Sequence, residues 1–188
     1  LPFIATKTYD VAQPSYAAVD EAELCLQGFI AFLDPPKDTA APALAALAAR
    51  GVRVKILTGD NDLVTQKTCR DVGLTITGVV LGSDVEAMDD AALAAAAETA
   101  NVFAKVSPSQ KARIIAALQS KDHVVGFLGD GINDGPALKR ADVGISVDTA
   151  VDIAKEAADI VLLEKNLAIL IDGVVEGRRV FGNIIKYI

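Results

Sequence analysis

The fold of this chain is decided by residues 124–136, which read VVGFLGDGINDGP. The run that ends at Leu128 is apolar and partly β-branched, which is typical of a buried strand. Glycines flank Asp130 directly after it, and Pro136 suits the first turn of a following helix. The stretch therefore predicts a strand, a tight turn and a helix, the repeating element of an α/β fold.

Apolar runs of the same kind alternate with helical patterns along most of the chain. The predicted strands are residues 28–33, 52–57, 78–81, 101–104, 124–128, 143–147 and 160–163. The predicted helices are residues 38–50, 62–72, 89–99, 109–120, 136–140 and 149–157. Strands that are apolar throughout indicate an α/β fold with a doubly wound, Rossmann-like parallel sheet. Ligands of such folds bind at the carboxyl ends of the strands.

The two ends of the chain depart from this alternation. Residues 1–26 fit it poorly, and we expect the last strand of a neighbouring domain and a linker there. Residues 166–188 carry apolar side chains at helical spacing, which predicts a long amphipathic helix, bent near Gly173 or Gly177. This helix either packs on the domain or is a stalk that leads towards a membrane helix.

Composition narrows the classes of function. The chain has 188 residues, of which 52% are hydrophobic, and this is enough for a domain with its own core. Its formal net charge is −7, which disfavours nucleic acid as a partner. An acidic protein that handles phosphate must supply local positive charge, a metal ion or backbone N–H groups.

The loop that follows residues 124–128 holds two carboxylates, Asp130 and Asp134. Mg²⁺ prefers oxygen ligands of this kind, so the pair predicts a metal site. The alternative is an ordinary strand-to-helix turn in which Asn133 or Asp134 caps the helix that begins near Pro136.

Thr58, Gly59 and Asp60 follow another predicted strand. A hydroxyl next to a glycine can bind a phosphoryl oxygen through the side chain and the backbone N–H together. Tripeptides of this kind also form common turns, so this stretch does not decide a function by itself.

Residues 107–111, which read SPSQK, predict the start of a helix. Ser107 and Gln110 suit a capping box, and Pro108 fits the first helical position. Lys111 lies on the apolar, inward face of the first turns, where the helix dipole disfavours a cation. An inward lysine needs an anionic partner such as phosphate, unless its amine snorkels to solvent.

Asp34, Pro35, Pro36 and Lys37 form a stiff corner, because proline fixes φ and cannot continue a strand. The corner is either a simple turn or a hinge between domains. A hydroxyl, a lysine and paired aspartates at strand or helix ends together indicate phosphoryl transfer. Transfer to the protein itself would need a further aspartate at a strand end, and no aspartate of the sequence has that setting.

In these motifs the chain resembles the P-type ATPases of the haloacid dehalogenase-like superfamily. The matches are D-P-P-[RK] at residues 34–37, T-G-D at 58–60, the phosphate-binding lysine at 111, G-D-G-x-N-D at 129–134, A-A-D-[IV]-[VI]-L-L at 157–164 and the stalk helix at 176–187. Residues 27–37, 54–60, 124–130 and 145–148 look most similar to bacterial magnesium-transporting members of this family.

The resemblance implies roles for the residues that would meet phosphate and metal. Asp130 would hold Mg²⁺, and Asp134 would bind or orient it. Lys111 and Thr58 would neutralise and hydrogen-bond the phosphoryl oxygens. The cofactors would be Mg²⁺ and ATP.

The resemblance also implies supporting roles. Asn133 would brace the loop, and Asp60 would lie near the nucleotide or the hinge. Gly59 would belong to the same phosphate-contacting turn, and Asp34 would help to bind the cofactor.

By the same resemblance the chain is part of an ATP-driven cation pump that works through an aspartyl-phosphate, and Mg²⁺ is the cation that the resemblance favours. Residues 1–26 would end the nucleotide-binding domain, residues 27–165 would be the later part of the phosphorylation domain, and residues 166–188 the stalk helix. The partners would be the nucleotide-binding, actuator and membrane domains and the transported cation, at the cytoplasmic face of the cell membrane.

The chain departs from the family pattern in two ways. Gly135 stands where the family usually has alanine, and the D-K-T-G-T motif of the phosphorylated aspartate is absent. We therefore expect the isolated fragment to be inactive. The alternatives are a pump for Ca²⁺ or a monovalent cation, and a free-standing phosphatase of the same superfamily, which would need its own nucleophile.

Overall fold

Parallel strands and helices alternate through the larger part of the chain, as the sequence pattern predicts. The computed structural model describes residues 2–11, 14–30, 36–164 and 166–186. The chain divides into two compact units, residues 1–35 and residues 36–188, and each is described by itself.

The larger unit contains two three-stranded parallel sheets. In the first, β3 (Ile56–Leu57) and β4 (Val79–Leu81) flank β5 (Val102–Ala104). In the second, β6 (Gly126–Leu128) and β8 (Ile160–Leu162) flank β7 (Val143–Val147). All six strands fall inside predicted strands, which confirms the predicted parallel α/β fold. In these strand orders, β3 and β6 each lie at an edge of their sheet among the described residues.

Helices connect these strands. They are α1 (Ala40–Ala49), α2 (Asp62–Asp71), α3 (Gly82–Ala87), α4 (Asp90–Thr99), α5 (Pro108–Gln119), α6 (Gly135–Arg140), α7 (Asp152–Ala157) and α8 (Ala168–Ile185). The short helix α3 was not predicted, and the others lie where periodicity predicts helices to within about three residues.

Each sheet has its own apolar core. The first surrounds β5, whose three residues are fully buried, and draws on α4 and α5. The second gathers Leu138 of α6, Ala154 of α7 and the ends of β7 and β8. Helix α5 contacts both α4 and α6 and so connects the two halves of the unit. The loops after β3 and β5 lie at the same edge of the first sheet, because parallel strands of one sheet end on the same side. Lys111 of α5 contacts Asp134 and so connects this region to the loop after β6.

The smaller unit is built on an antiparallel pair, β1 (Phe3–Thr6) and β2 (Cys25–Phe29). The prediction of a buried strand over residues 28–33 is wrong for its described part. Strand β2 ends at Phe29, which is 65% exposed, and it pairs antiparallel with β1. An apolar run does not distinguish a buried parallel strand from an exposed hairpin strand, and here the hairpin prevails.

Helix α8 continues through Gly173 and Gly177 without interruption. It lies against α1, and the Arg178 guanidinium donates to the Arg50 carbonyl at 2.8 Å. At its start, Ile169 and Leu170 pack against the second core. None of the helices formed by the described residues has the length and apolar character that crossing a bilayer requires.

Candidate active site

The loop after β6 is held against the end of β7. The Gly129 N–H donates to the Ile145 carbonyl at 3.0 Å, which extends the pairing of β6 and β7 by one residue. A single 3₁₀ turn, Ile132–Asp134, then leads into α6. A Cβ on Gly129 would lie 2.6 Å from the Asp134 Cβ, so the backbone and the returning side chain can approach this closely only because residue 129 is a glycine.

Asp134 turns back into its own loop. One carboxylate oxygen accepts the Gly131 N–H at 3.1 Å, and the other accepts the Lys111 amine at 2.7 Å. The side chain is 13% exposed. Asp134 is the residue immediately before α6, and Pro136 lies in the first turn of this helix. The Asp134 side chain does not cap the helix. The predicted helix start is thus confirmed, whereas the capping alternative is wrong, because the carboxylate is committed to Lys111.

Lys111 points inward from the start of α5. The predicted capping box is present, because the Ser107 hydroxyl accepts the Gln110 N–H at 3.3 Å and the Gln110 side chain accepts the Ser107 N–H at 2.9 Å. The Lys111 side chain is 12% exposed and its amine is paired with Asp134. The alternative of a lysine that snorkels to solvent is therefore wrong for this structure.

The turn after β3 is closed by its own side chains. The Thr58 hydroxyl accepts the Asp60 N–H and donates to the Asp60 carboxylate, both at 3.0 Å. Gly59 is exposed, and a Cβ there would meet one atom at 3.8 Å, which is ordinary contact. The Thr58 hydroxyl and the Asp60 carboxylate thus lie at the strand end and are hydrogen-bonded to each other.

Hydrogen bonds connect this turn to the lysine helix. The Val106 N–H donates to the Thr58 carbonyl and the Lys105 N–H to the Asp60 carbonyl, both at 3.0 Å. Residues 105–106 lead directly into the capping box of α5. A continuous series of contacts therefore runs from Thr58 through α5 and Lys111 to Asp134.

Asp130 is the exposed carboxylate of the site. Its backbone carbonyl accepts the Val151 N–H at 3.2 Å. Within the described ranges, its carboxylate has neither a hydrogen bond nor an ion pair, and no group of three or more metal-ligating side chains occurs. This arrangement fits Mg²⁺, which keeps several waters and is bound through one or two carboxylates together with phosphate.

One other predicted residue, Asn133, stands apart from this series of contacts. The Asn133 side chain is exposed and makes no hydrogen bond to the residues that the structure describes, so the expected bracing of the loop is carried by Asp134 instead. Asp34 lies outside the described residues.

Sequence reasoning missed Ser146. Its side chain is fully buried in β7, and its hydroxyl donates to the Gly129 carbonyl at 2.9 Å. The signal was present, because Ser146 is the one polar residue in the strand Val143–Val147. A buried hydroxyl in an apolar strand needs a partner, and here that partner is the loop.

The chain is similar to known proteins over nearly its whole length. A family model described as haloacid dehalogenase-like hydrolase matches residues 5–142. The magnesium-transporting ATPase, P-type 1 of Salmonella typhimurium (strain LT2) is 57% identical over 185 residues, which are 98% of this chain and 20% of the relative. The endoplasmic reticulum calcium ATPase srcA of Aspergillus fumigatus is 37% identical over 89% of this chain and 18% of the relative. The chain thus spans about one fifth of the length of these relatives.

Solved structures of related ATPases have a similar fold. A zinc-transporting PIB-type ATPase in the E2.Pi state matches 87% of this chain and 22% of that chain, with 27% identity and a TM-score of 0.63. The catalytic domain of the CPx-ATPase CopB-B matches 79% of this chain and 47% of that chain, with 23% identity and a TM-score of 0.56.

Proposed function

Because this chain belongs to the haloacid dehalogenase-like hydrolase family, we propose that it is part of the phosphorylation domain of a P-type ATPase that transports a cation. In this proposal residues 27–165 are the later part of that domain. Residues 1–26 end the nucleotide-binding domain, and residues 166–188 are the stalk helix. The complete pump hydrolyses ATP through an aspartyl-phosphate.

The observation that carries this proposal is the Lys111–Asp134 pair beside the exposed Asp130. An inward amine held at 2.7 Å by a nearly buried carboxylate is preorganised, and preorganised charge is the main means of stabilising phosphoryl transfer. Asp130 lies on the same loop as Asp134, and its exposed carboxylate remains available for a cation.

Each of these groups has a distinct task in the proposal. Asp130 holds Mg²⁺, which neutralises phosphoryl charge when it is bound. Asp134 binds or orients this Mg²⁺ and also orients the Lys111 amine and the loop. Lys111 and the Thr58 hydroxyl bind phosphoryl oxygens. Asp60 stays close to Thr58 at the nucleotide or hinge side, with Gly59 between them.

The open sheet edges at β3 and β6 support an additional strand there, which would carry the acceptor aspartate. Strands β3 and β6 are edge strands among the described residues, Leu57 of β3 and Val125 before β6 pack against the same apolar cluster, and Leu128 is 40% exposed. We propose that a parallel strand from another part of the pump pairs between them, so that its carboxyl end reaches Thr58 and Asp130.

Hydrogen exchange tests the proposed strand. The Gly129 N–H points to β7, so the Leu128 N–H points to the open side, because successive N–H groups of a strand alternate in direction. The Leu128 amide should exchange rapidly in the 188-residue chain and be protected in the complete pump. Equal exchange in both would contradict a strand at this edge.

Similarity favours Mg²⁺ as the transported ion. Relatives that are 57% identical carry names of magnesium transporters, whereas the calcium ATPase srcA is 37% identical. We propose a position at the cytoplasmic face of the membrane, with the nucleotide-binding, actuator and membrane domains of the same pump as partners.

Two measurements on the full-length parent protein test this function. Incubation with ATP should give an acid-stable phosphoenzyme, and Asp130→Asn should abolish it; an undiminished phosphoenzyme in the variant would overturn the site. The gene for the full-length parent protein should restore growth at low Mg²⁺ in cells without their own Mg²⁺ uptake. Failure there, together with transport of Ca²⁺ or a monovalent cation into vesicles, would reject Mg²⁺ as cargo and leave the site intact.

A further inference from the structure

A buried serine on the neighbouring strand holds the loop that carries Asp130. Ser146 is 0% exposed, and its hydroxyl donates to the Gly129 carbonyl at 2.9 Å. Gly129 is itself buried, whereas Asp130, the next residue, is exposed. The contact therefore lies at the point where the backbone leaves the core and enters the site.

Three hydrogen bonds fix the backbone of Gly129 and Asp130. The Gly129 N–H donates to the Ile145 carbonyl at 3.0 Å, the Ser146 hydroxyl donates to the Gly129 carbonyl, and the Val151 N–H donates to the Asp130 carbonyl at 3.2 Å. All three partners belong to β7 or to the segment between β7 and α7. The peptide between Gly129 and Asp130 is thus held on both sides, and its orientation sets the direction of the Asp130 side chain.

The serine supplies a donor that the backbone does not. Among the described residues, no backbone N–H donates to the Gly129 carbonyl, although the strand pairing continues as far as the Gly129 N–H. A buried carbonyl without a partner is unfavourable, so without the hydroxyl the peptide would rotate or admit water. Either change would move Asp130 relative to Lys111 and Asp134, which are fixed by their own contacts.

We propose that Ser146 is a positioning residue that sets the Mg²⁺ affinity of Asp130 by fixing the Gly129–Asp130 peptide. This proposal rests on the proposed function, in which Asp130 holds Mg²⁺. Residues that orient a metal ligand from behind typically change metal affinity or activity by about 10-fold to 100-fold when they are replaced. Ser146 acts through the backbone, and the expected effect is at the lower end, about tenfold.

The test is a Mg²⁺ titration of the full-length parent protein and its Ser146→Ala variant. The readout is phosphoenzyme formed from inorganic phosphate, which avoids the binding of Mg²⁺ to ATP. The Mg²⁺ concentration for half-maximal phosphoenzyme should rise about tenfold in the variant, while the level at saturating Mg²⁺ stays close to that of the wild type. A merely structural role would lower the level and leave the half-maximal concentration unchanged.

Ser120→Ala is the matched control. The Ser120 hydroxyl also donates to a backbone carbonyl, that of Ala117 at 2.7 Å, but it does so at the end of α5, away from the loop. Its half-maximal Mg²⁺ concentration should equal that of the wild type. If Ser146→Ala does not accumulate, Ser146→Cys replaces it, because the thiol fills similar space and is a weaker donor, and the same outcomes apply.

The result also separates this proposal from the proposed function. If Asp130→Asn abolishes the phosphoenzyme but Ser146→Ala has the wild-type Mg²⁺ requirement, the role of Ser146 is overturned and the site stands. If Asp130→Asn keeps the wild-type level and Mg²⁺ requirement, both proposals are overturned.

Discussion

Replacing Lys111 by methionine measures how strongly its ion pair with Asp134 stabilises the fold. Methionine keeps an unbranched stem in the inward position and removes the amine. The Asp134 carboxylate, 13% exposed, then loses its 2.7 Å contact and keeps only the Gly131 N–H at 3.1 Å. A nearly buried charge with one remaining partner is unfavourable, so the folded state should be destabilised.

The structure limits the size of this effect. Removing one partner of a buried ion pair costs about 3–5 kcal/mol. The hydrogen bond that Asp134 keeps and its residual exposure to water place the expected cost at the lower end, about 3 kcal/mol. With a urea dependence of about 2 kcal/mol per molar, the midpoint of unfolding should fall by about 1.5 M. Far-UV circular dichroism suits the measurement, because helices α1–α8 all belong to residues 36–188.

A double-mutant cycle separates the pair from the rest of the loop. Asp134→Asn should cost less than Lys111→Met, because the amide oxygen can still accept from the Gly131 N–H or the Lys111 amine and no carboxylate is left unpaired. In the double variant no charge is left unpaired, so the two effects should fall short of additivity by about 2 kcal/mol. Lys67→Met, which removes an exposed partner of Asp71, is the control and should cost less than about 0.5 kcal/mol. Additive effects, or a Lys111→Met cost as small as the control, would refute the reasoning.

Three further predictions concern the same region. Gly129→Ala should destabilise the chain in urea unfolding, because its Cβ would lie 2.6 Å from the neighbouring aspartate side chain, whereas Gly59→Ala, with its nearest contact at 3.8 Å, should not. Mg²⁺ should shift the amide NMR signals of the Asp130 loop in the 188-residue chain, weakly because phosphate is absent; shifts confined to other regions would reject the metal site. The Asp142 carboxylate accepts the Val125 N–H, and this hydrogen bond lowers the pKa of the carboxyl. The stabilisation that the carboxylate provides should therefore be lost as the pH falls through that lowered pKa. Asp142→Asn should then flatten the decline of the urea midpoint below about pH 4.

The sequence predicts the ends of the strands well because the loss of hydrophobicity and the appearance of turn residues mark the same positions. Strands buried in a parallel sheet are apolar on both faces, so their ends are visible as sudden changes to glycine and polar residues. For this reason the sequence alone places Thr58 and Asp130 at strand ends, and the inward face at the start of the next predicted helix adds Lys111 to the same site. The short helix α3, Gly82–Ala87, begins at a glycine directly after β4, so no separate turn marks its start in the sequence.

The different environments of Asp130 and Asp134 could not be predicted in the same way. The two carboxylates belong to one loop and are chemically identical, and which one turns inward depends on Lys111, 23 residues earlier. That contact exists because α5 packs against α6, and local patterns do not encode the packing of two helices. The role of Ser146 was hidden for the same reason, since its partner Gly129 lies 17 residues away in the loop after β6.

The charges of the site favour joint binding of metal and phosphate over binding of phosphate alone. The chain has a net charge of −7, and the charge of Lys111 is balanced by Asp134 at 2.7 Å. A phosphate that approaches the loop also meets the carboxylate of Asp130, and like charges repel. Mg²⁺ on Asp130 would reverse this repulsion, so inorganic phosphate should shift the amide signals of the loop strongly only when Mg²⁺ is present. Phosphate binding of equal strength without Mg²⁺ would show that Lys111 and the backbone N–H groups suffice to hold the anion, and that repulsion by Asp130 does not control its binding.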